Sequence, residues 1–188
     1  MPRIPLLSPD SELTSEQRRV VDGILSRRGG RIPGPFRFSL HCPALTELWH
    51  PLGELLRLKS TFPLRLSEFA ILVTSRAWDC DYIFQAHAPF ALQGGLAQAV
   101  VDAVAKGDRP QLENPDEVAV YGYCSELFAK HAISDGSYAR ALELFGTAGV
   151  VELTALIGYY SMVALTLLAH QMPLPEGVMP PLARRHPA

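Results

Sequence analysis

Residues 66–87 read LSEFAILVTSRAWDCDYIFQAH. Leu66, Phe69, Ala70 and Val73 recur at helical spacing, which predicts a helix over 64–77 with these residues on its inner face and Glu68 on or beside it. Asp79 is suited to cap a following helix that starts near Cys80 and stops at Gly94-Gly95. On that helix Cys80 and His87 lie two turns apart on one face, with Ile83 and Phe84 between them. Glu68 sits one helix upstream, so only tertiary packing can bring it to the pair.

The segment carries Glu-x11-Cys-x6-His through Glu68, Cys80 and His87. It resembles the carboxymuconolactone decarboxylase and AhpD-like alkylhydroperoxidase group, whose redox branch carries Glu-x11-Cys-x2-Cys-x3-His. Glu68, Cys80 and His87 fall in register with the Glu, first Cys and His of that pattern. Ile83 stands where the second Cys would be, so the redox disulfide of those peroxidases cannot form within this motif. Looser likeness runs from His41-Cys42-Pro43-Ala44-Leu45, through Leu48-Trp49-His50 and Leu52-Gly53, to Gly158-Tyr159-Tyr160-Ser161-Met162. The resemblance implies an all-α, AhpD-like bundle and a trimer or dimer of trimers.

Two chemistries compete for the motif. In acid–base catalysis of the decarboxylase, lyase or isomerase kind, on a small lactone or carboxylate, His87 moves the proton, Glu68 holds its tautomer and Arg76 pairs with a substrate carboxylate. In a thiol-dependent hydroperoxidase, Cys80 attacks the peroxide with His87 and Glu68 as a relay. The missing second Cys favours the first, because in the redox branch that residue adjoins the relay His and attacks the peroxide. A non-catalytic binding protein on the same fold is a third reading. Each residue also has a plainer role. Cys80 reads as a small buried hydrophobe, His87 as a core histidine bonded to a carbonyl, and Glu68 as a solvated helix residue. At a helix N-terminus, Cys80 is expected to have a lowered pKa. Trp78 and Tyr82 join Arg76 as candidate substrate-binding residues, and tyrosines 82, 121, 123, 159 and 160 as candidate pocket walls.

The 188 residues, 48% hydrophobic and 19% charged, predict one globular domain with an arm over 1–12 and a proline-rich arm over 172–188. A net charge of −2 provides no basic field for nucleic acid, and the Arg18-Arg19, Arg27-Arg28 and Arg184-Arg185 pairs lie in terminal segments. The N-terminus lacks a signal-peptide pattern, and three cysteines make no disulfide framework, so a cytoplasmic protein is expected. Residues 153–169 carry no charge but fall short of the about 20 residues a membrane span needs. Burial in the core or between subunits explains them better, and a homo-oligomer acting on a small molecule, away from membranes, is expected. His41, Cys42 and His50 lack zinc-site spacing, and no GxGxxG, GxxxxGK[ST] or GxSxG occurs, so no metal or cofactor is expected.

Helix signals fill the rest. Val20, Val21, Ile24 and Leu25 precede the Gly29-Gly30 stop, and a Pro- and Gly-rich loop follows. Pro43 opens a helix carrying Leu45, Leu48, Leu52, Leu55 and Leu56, with Pro51 kinking it near Glu47. A short helix spans 97–105, Asn114-Pro115-Asp116-Glu117 starts another, Ser134-Asp135 opens one ending at Gly146, and the last runs from about Val150 to His170. Eight helices and no sheet are expected.

Overall fold

The computed structural model describes residues 1–27 and 29–183; Arg28 and residues 184–188, with the Arg184-Arg185 pair and Pro187, lie outside the described residues. Among those described, eight helical elements and no strand occur: α1 Ser15–Arg27, α2 Gly34–Ser39, α3 Pro43–Leu58, α4 Leu64–Ala77, α5 Asp81–Gln93, α6 Gln98–Lys106, α7 Pro115–Lys130 and α8 Asp135–Ala169. The count of eight matches expectation, but its composition does not. The loop after Gly30 folds into the extra helix α2, started by Pro33 and Gly34-Pro35. The last two expected helices run on as α8, broken at Gly146 (φ 65°, ψ 176°), a conformation essentially confined to glycine.

The chain forms two compact units, Met1–Lys59 with Leu165–Pro173, and Ser60–Ala164 with Leu174–Ala188. In the first, α1 begins with a capping box: Gln17 N–H donates to Thr14 Oγ1 (3.2 Å) and Thr14 N–H to Gln17 Oε1 (2.9 Å). Val20, Val21 and Ile24 form its buried face. α3 starts with Pro43 at its first helical position and continues through Pro51. Its inward face is Thr46, Trp49, His50, Gly53 and Leu56, with the Phe36 ring edge-on to both Trp49 and His50. Leu45, Leu48, Leu52 and Leu55 face solvent.

In the second unit α4 is buried on every side, continuously from Leu66 to Arg76. It makes its most extensive contact with α5 and also packs on α6 and α7. A Schellman turn joins α4 to α5: Cys80 N–H donates to Ser75 O (2.8 Å) and Asp79 N–H to Arg76 O (3.1 Å). Asp79 occupies the left-handed position of this turn (φ 51°), so it ends α4 and does not cap α5; the N-cap position belongs to Cys80. At the other end of the antiparallel pair, Gly94 lies so close to the start of α4 that a Cβ there would come within 2.7 Å of the Arg65 backbone nitrogen. The tight turn and this close approach fix the register of the pair. Arg65 further ties α4 to α7 through Asp116 (2.7 Å) and Glu117.

The tail after Pro173 has no helix, yet it ends docked on the unit. Leu182 is buried, its N–H donates to Asp81 Oδ1 (3.0 Å), and Ala183 N–H donates to Ala105 O (3.0 Å). α8 is long and apolar enough to cross a membrane by composition; half of its most apolar window is buried within the protein.

Candidate functional site

The register of α4 against α5 brings Glu68 to His87. Nδ1–H of His87 donates to Oε2 of Glu68 at 2.6 Å, a short charge-assisted hydrogen bond. Glu68 has no solvent-exposed surface, whereas the His87 side chain retains 12%. A carboxylate removed from water is costly unless bonded, and the imidazole supplies a donor. The bond selects the tautomer that carries its proton on Nδ1, so that Nε2 is the acceptor nitrogen of the neutral ring. Tyr160 of α8 stands edge-on to the imidazole, ring centroids 5.0 Å apart, and Phe90 lies at 6.4 Å. Tyr159 packs on Tyr160 in turn, at 5.4 Å. Among the tyrosines the sequence offered, the structure thus sets Tyr160 at the histidine. The chain gives no signal for that choice, because the packing of α8 decides it.

Cys80 is buried, and its thiol is pushed up to about 11, opposite to the lowered value expected from its place at a helix N-terminus. Burial dominates; the amides of Ile83 and Tyr82 pull the other way but do not overcome it, and the Asp81 charge adds to the rise. Near neutral pH the group is a thiol, a poor nucleophile. Cys124 is buried as well, its thiol pushed up to about 12 by desolvation, whereas Cys42 is exposed.

The candidate substrate-binding residues divide. Arg76 and Trp78 line a cavity of about 810 Å³ with Val73, Tyr121, Phe128 and Ile157; Glu68, Cys80, Tyr82 and His87 do not line it. The Arg76 guanidinium is almost completely buried, its Nη1 bonded to Ala183 O (2.8 Å) and paired with Asp79 Oδ1 (2.9 Å). It clamps the α4–α5 turn and the tail together. The Trp78 indole packs edge-on to Phe128. Tyr82, in the first turn of α5, is half-buried. His41 Nε2–H donates to Pro5 O (2.9 Å), and among the described residues no three His, Cys, Asp or Glu side chains cluster as metal ligands.

No protein-family model matches the chain, and no curated protein matches it. Solved structures do. An uncharacterized peroxidase-related protein of the alkylhydroperoxidase AhpD core from Ralstonia eutropha JMP134 superposes with a TM-score of 0.74 at 17% identity, over 93% of each chain. A peroxidase-related protein from Silicibacter sp. TM1040 gives 0.70 at 14% identity, again over 93% of each chain. The debrominase Bmp8, solved with 2,3,4-tribromopyrrole, gives 0.69 at 15% identity over 92% of this chain and 90% of its own. The all-helical fold expected from the motif in α4 and α5 is therefore the fold of this chain, which is AhpD-like.

Proposed function

We propose that the protein is an acid–base enzyme of the decarboxylase, lyase or isomerase kind, acting on a small lactone or carboxylate, with His87 as proton carrier and Glu68 as its orienting partner. The 2.6 Å bond from His87 Nδ1 to a carboxylate with no exposed surface carries this reading. In an isomerisation, Nε2 of the neutral ring takes a proton from the carbon between a carbonyl and a double bond, and the imidazolium returns it to the far end of the resulting dienolate, so that the double bond moves into conjugation with the carbonyl. In a decarboxylation, the bond to the substrate carboxylate breaks, CO2 leaves, and the electron pair passes into the adjacent carbonyl system. Protonated His87 then delivers its Nε2 proton to the carbon, and water reprotonates the ring. In both, Glu68 fixes the ring and stabilises its charged form. Arg76 and Trp78 line a cavity that His87 does not line, and Arg76 is engaged by Ala183 O and Asp79, so the proton step is assigned to His87 and Glu68 without them.

A thiol reading is the alternative, supported by the register of Cys80 with His87 and by fold neighbours described as peroxidase-related. There the Cys80 thiolate attacks a hydroperoxide oxygen, the O–O bond breaks to give a sulfenic acid and an alcohol, and an external thiol reduces the sulfur again. A thiol buried and pushed up to about 11 weighs against it. Turnover assays on a panel of small lactones and hydroperoxides, with His87→Gln and Cys80→Ser beside the parent, separate the two. The acid–base reading expects lactone turnover lost in the His87 variant and kept in the Cys80 variant. Rapid stoichiometric sulfenic acid at Cys80 under dilute peroxide reverses the ranking. Unchanged turnover in the His87 variant removes this site from the chemistry.

A further inference from the structure

Three helices of the second unit meet at the His87 ring. α5 carries it, α4 supplies the carboxylate that accepts from Nδ1–H at 2.6 Å, and α8 supplies Tyr160. A single hydrogen bond restrains one atom of an imidazole. It leaves the ring able to rock about the line from Nδ1 to the carboxylate oxygen, and that motion swings Nε2, which lies off the line. The Tyr160 ring opposes it. It stands at 87° to the imidazole with centroids 5.0 Å apart, an edge-to-face arrangement that ring pairs favour. Tyr160 is itself held, being only 5% exposed and packed edge-on against buried Tyr159 at 5.4 Å. Phe90 is a looser neighbour, on the histidine's own helix, 40% exposed, tilted by 57° and 6.4 Å away.

We infer that Tyr160 is a positioning residue for the proton step: its ring fixes the plane of the imidazole, as Glu68 fixes the direction of Nδ1, so that Nε2 is aimed at one place. The inference rests on the role proposed above for His87 and adds a side chain that acts through the histidine without exchanging a proton itself. The working part is the ring, because the observed contact is between ring planes. Near-attack geometry tolerates little rocking, so a ring held at two points keeps Nε2 within reach of a substrate carbon for more of the time than a ring held at one.

The test compares Tyr160→Phe, which keeps the ring, with Tyr160→Leu, which removes it; should the latter not fold, Tyr160→Met takes its place. Leu153→Ala, a fully buried large-to-small change two turns earlier in α8, measures packing loss alone. Proton NMR of protein labelled with 15N-histidine reads the His87 Nδ1–H directly, and His87→Gln assigns it. The parent, Tyr160→Phe and Leu153→Ala should each show a low-field Nδ1–H resonance protected from exchange with water. Tyr160→Leu should lose it to exchange, because a rocking ring breaks and remakes the bond. On a substrate that the parent turns over, Tyr160→Leu should lower kcat by up to about 100-fold with KM little changed, and Tyr160→Phe should match the parent. An unaltered resonance or an unaltered kcat in Tyr160→Leu overturns the inference. Loss of the resonance in Leu153→Ala overturns it by reducing the effect to packing, and loss in Tyr160→Phe overturns it by moving the role to the hydroxyl. A parent without the resonance overturns it together with the Glu68–His87 bond. A resonance lost only in Tyr160→Leu, in a protein that turns over no lactone or carboxylate, upholds the positioning of the ring and removes the reaction class proposed above.

Discussion

α3 and α4 reverse the usual distribution of polar and apolar residues in opposite senses. α4 buries Ser67, Glu68, Thr74, Ser75 and Arg76 along with its apolar residues, and α3 buries Thr46 and His50 while setting five leucines in water. In α4 each buried polar side chain meets a partner. Thr74 Oγ1 donates to Ala70 O and Ser75 Oγ to Leu72 O, each at 2.8 Å, Arg76 holds Ala183 O, and Glu68 accepts from His87. A buried polar group is costly unless bonded, so a helix that carries several of them, all bonded, has been built around a defined arrangement. The α3 leucines depart from the pattern the other way, as apolar side chains exposed to water.

The sharpest way to break the α4 side is His87→Gln, which keeps an N–H donor near Glu68 but cannot carry a proton. Turnover should fall about 100-fold or more, with little change in melting temperature. His87→Ala should lose the same activity and also lower the melting temperature, because it takes a partner from a buried carboxylate. Equal melting losses in both variants would mark the pair as structural. Glu68→Gln should slow turnover and move the acidic limb of the pH–rate profile to lower pH, since loss of a neighbouring negative charge disfavours the imidazolium. An unmoved limb would detach Glu68 from the proton step.

Cysteines at equivalent places sharpen the contrast. Cys42 and Cys80 both occupy N-cap positions, of α3 and α5, but the first is exposed and the second buried. In the native protein at pH 8 a thiol reagent should modify Cys42 alone. Because the folded Cys80 thiol stands near 11 against 9.0 for the free group, its contribution to stability is complete below pH 9 and lost as pH rises toward 11. The loss amounts to about 2 to 3 kcal/mol, and Cys124, pushed up to about 12, extends it to higher pH. Urea midpoints measured from pH 8 to pH 11 should fall, and should fall less in a Cys80→Ala variant.

Smaller effects test the frame around each helix. Gly94→Ala forces a methyl group toward the Arg65 backbone and should cost about 1 to 3 kcal/mol, with turnover reduced as the α4–α5 register shifts. Thr14→Ala removes one half of the α1 capping box and should cost about 1 kcal/mol with turnover unchanged. Denaturant titrations of the two variants beside the parent give both values.

Helix order was legible because its signals are local: Pro43 at a first turn, Asn114-Pro115 before α7, Gly29-Gly30 after α1. The motif in α4 and α5 was legible for the same reason, since spacing alone puts Cys80 and His87 on one helix. Periodicity tells which residues share a face but not which face turns inward, so the outward turn of the α3 leucines was hidden. The Glu68–His87 bond depends on the register of two helices, set by a left-handed Asp79 and a crowded Gly94. The Cys80 thiol went against expectation because a helix end and burial compete, and only the packed structure shows that burial wins. Helix α2 and the docked Leu182 were missed because Pro and Gly richness reads as loop whether or not the segment packs.

The complete enclosure of α4 from Leu66 to Arg76 has a consequence in time as well as in space. Amides there can meet deuterated water only when the second unit opens around them, so their exchange rates should report its global unfolding, while the ends of α6 and the docked tail exchange through smaller openings. On that expectation Glu68, which holds His87, rides on a segment that opens only when the whole unit does.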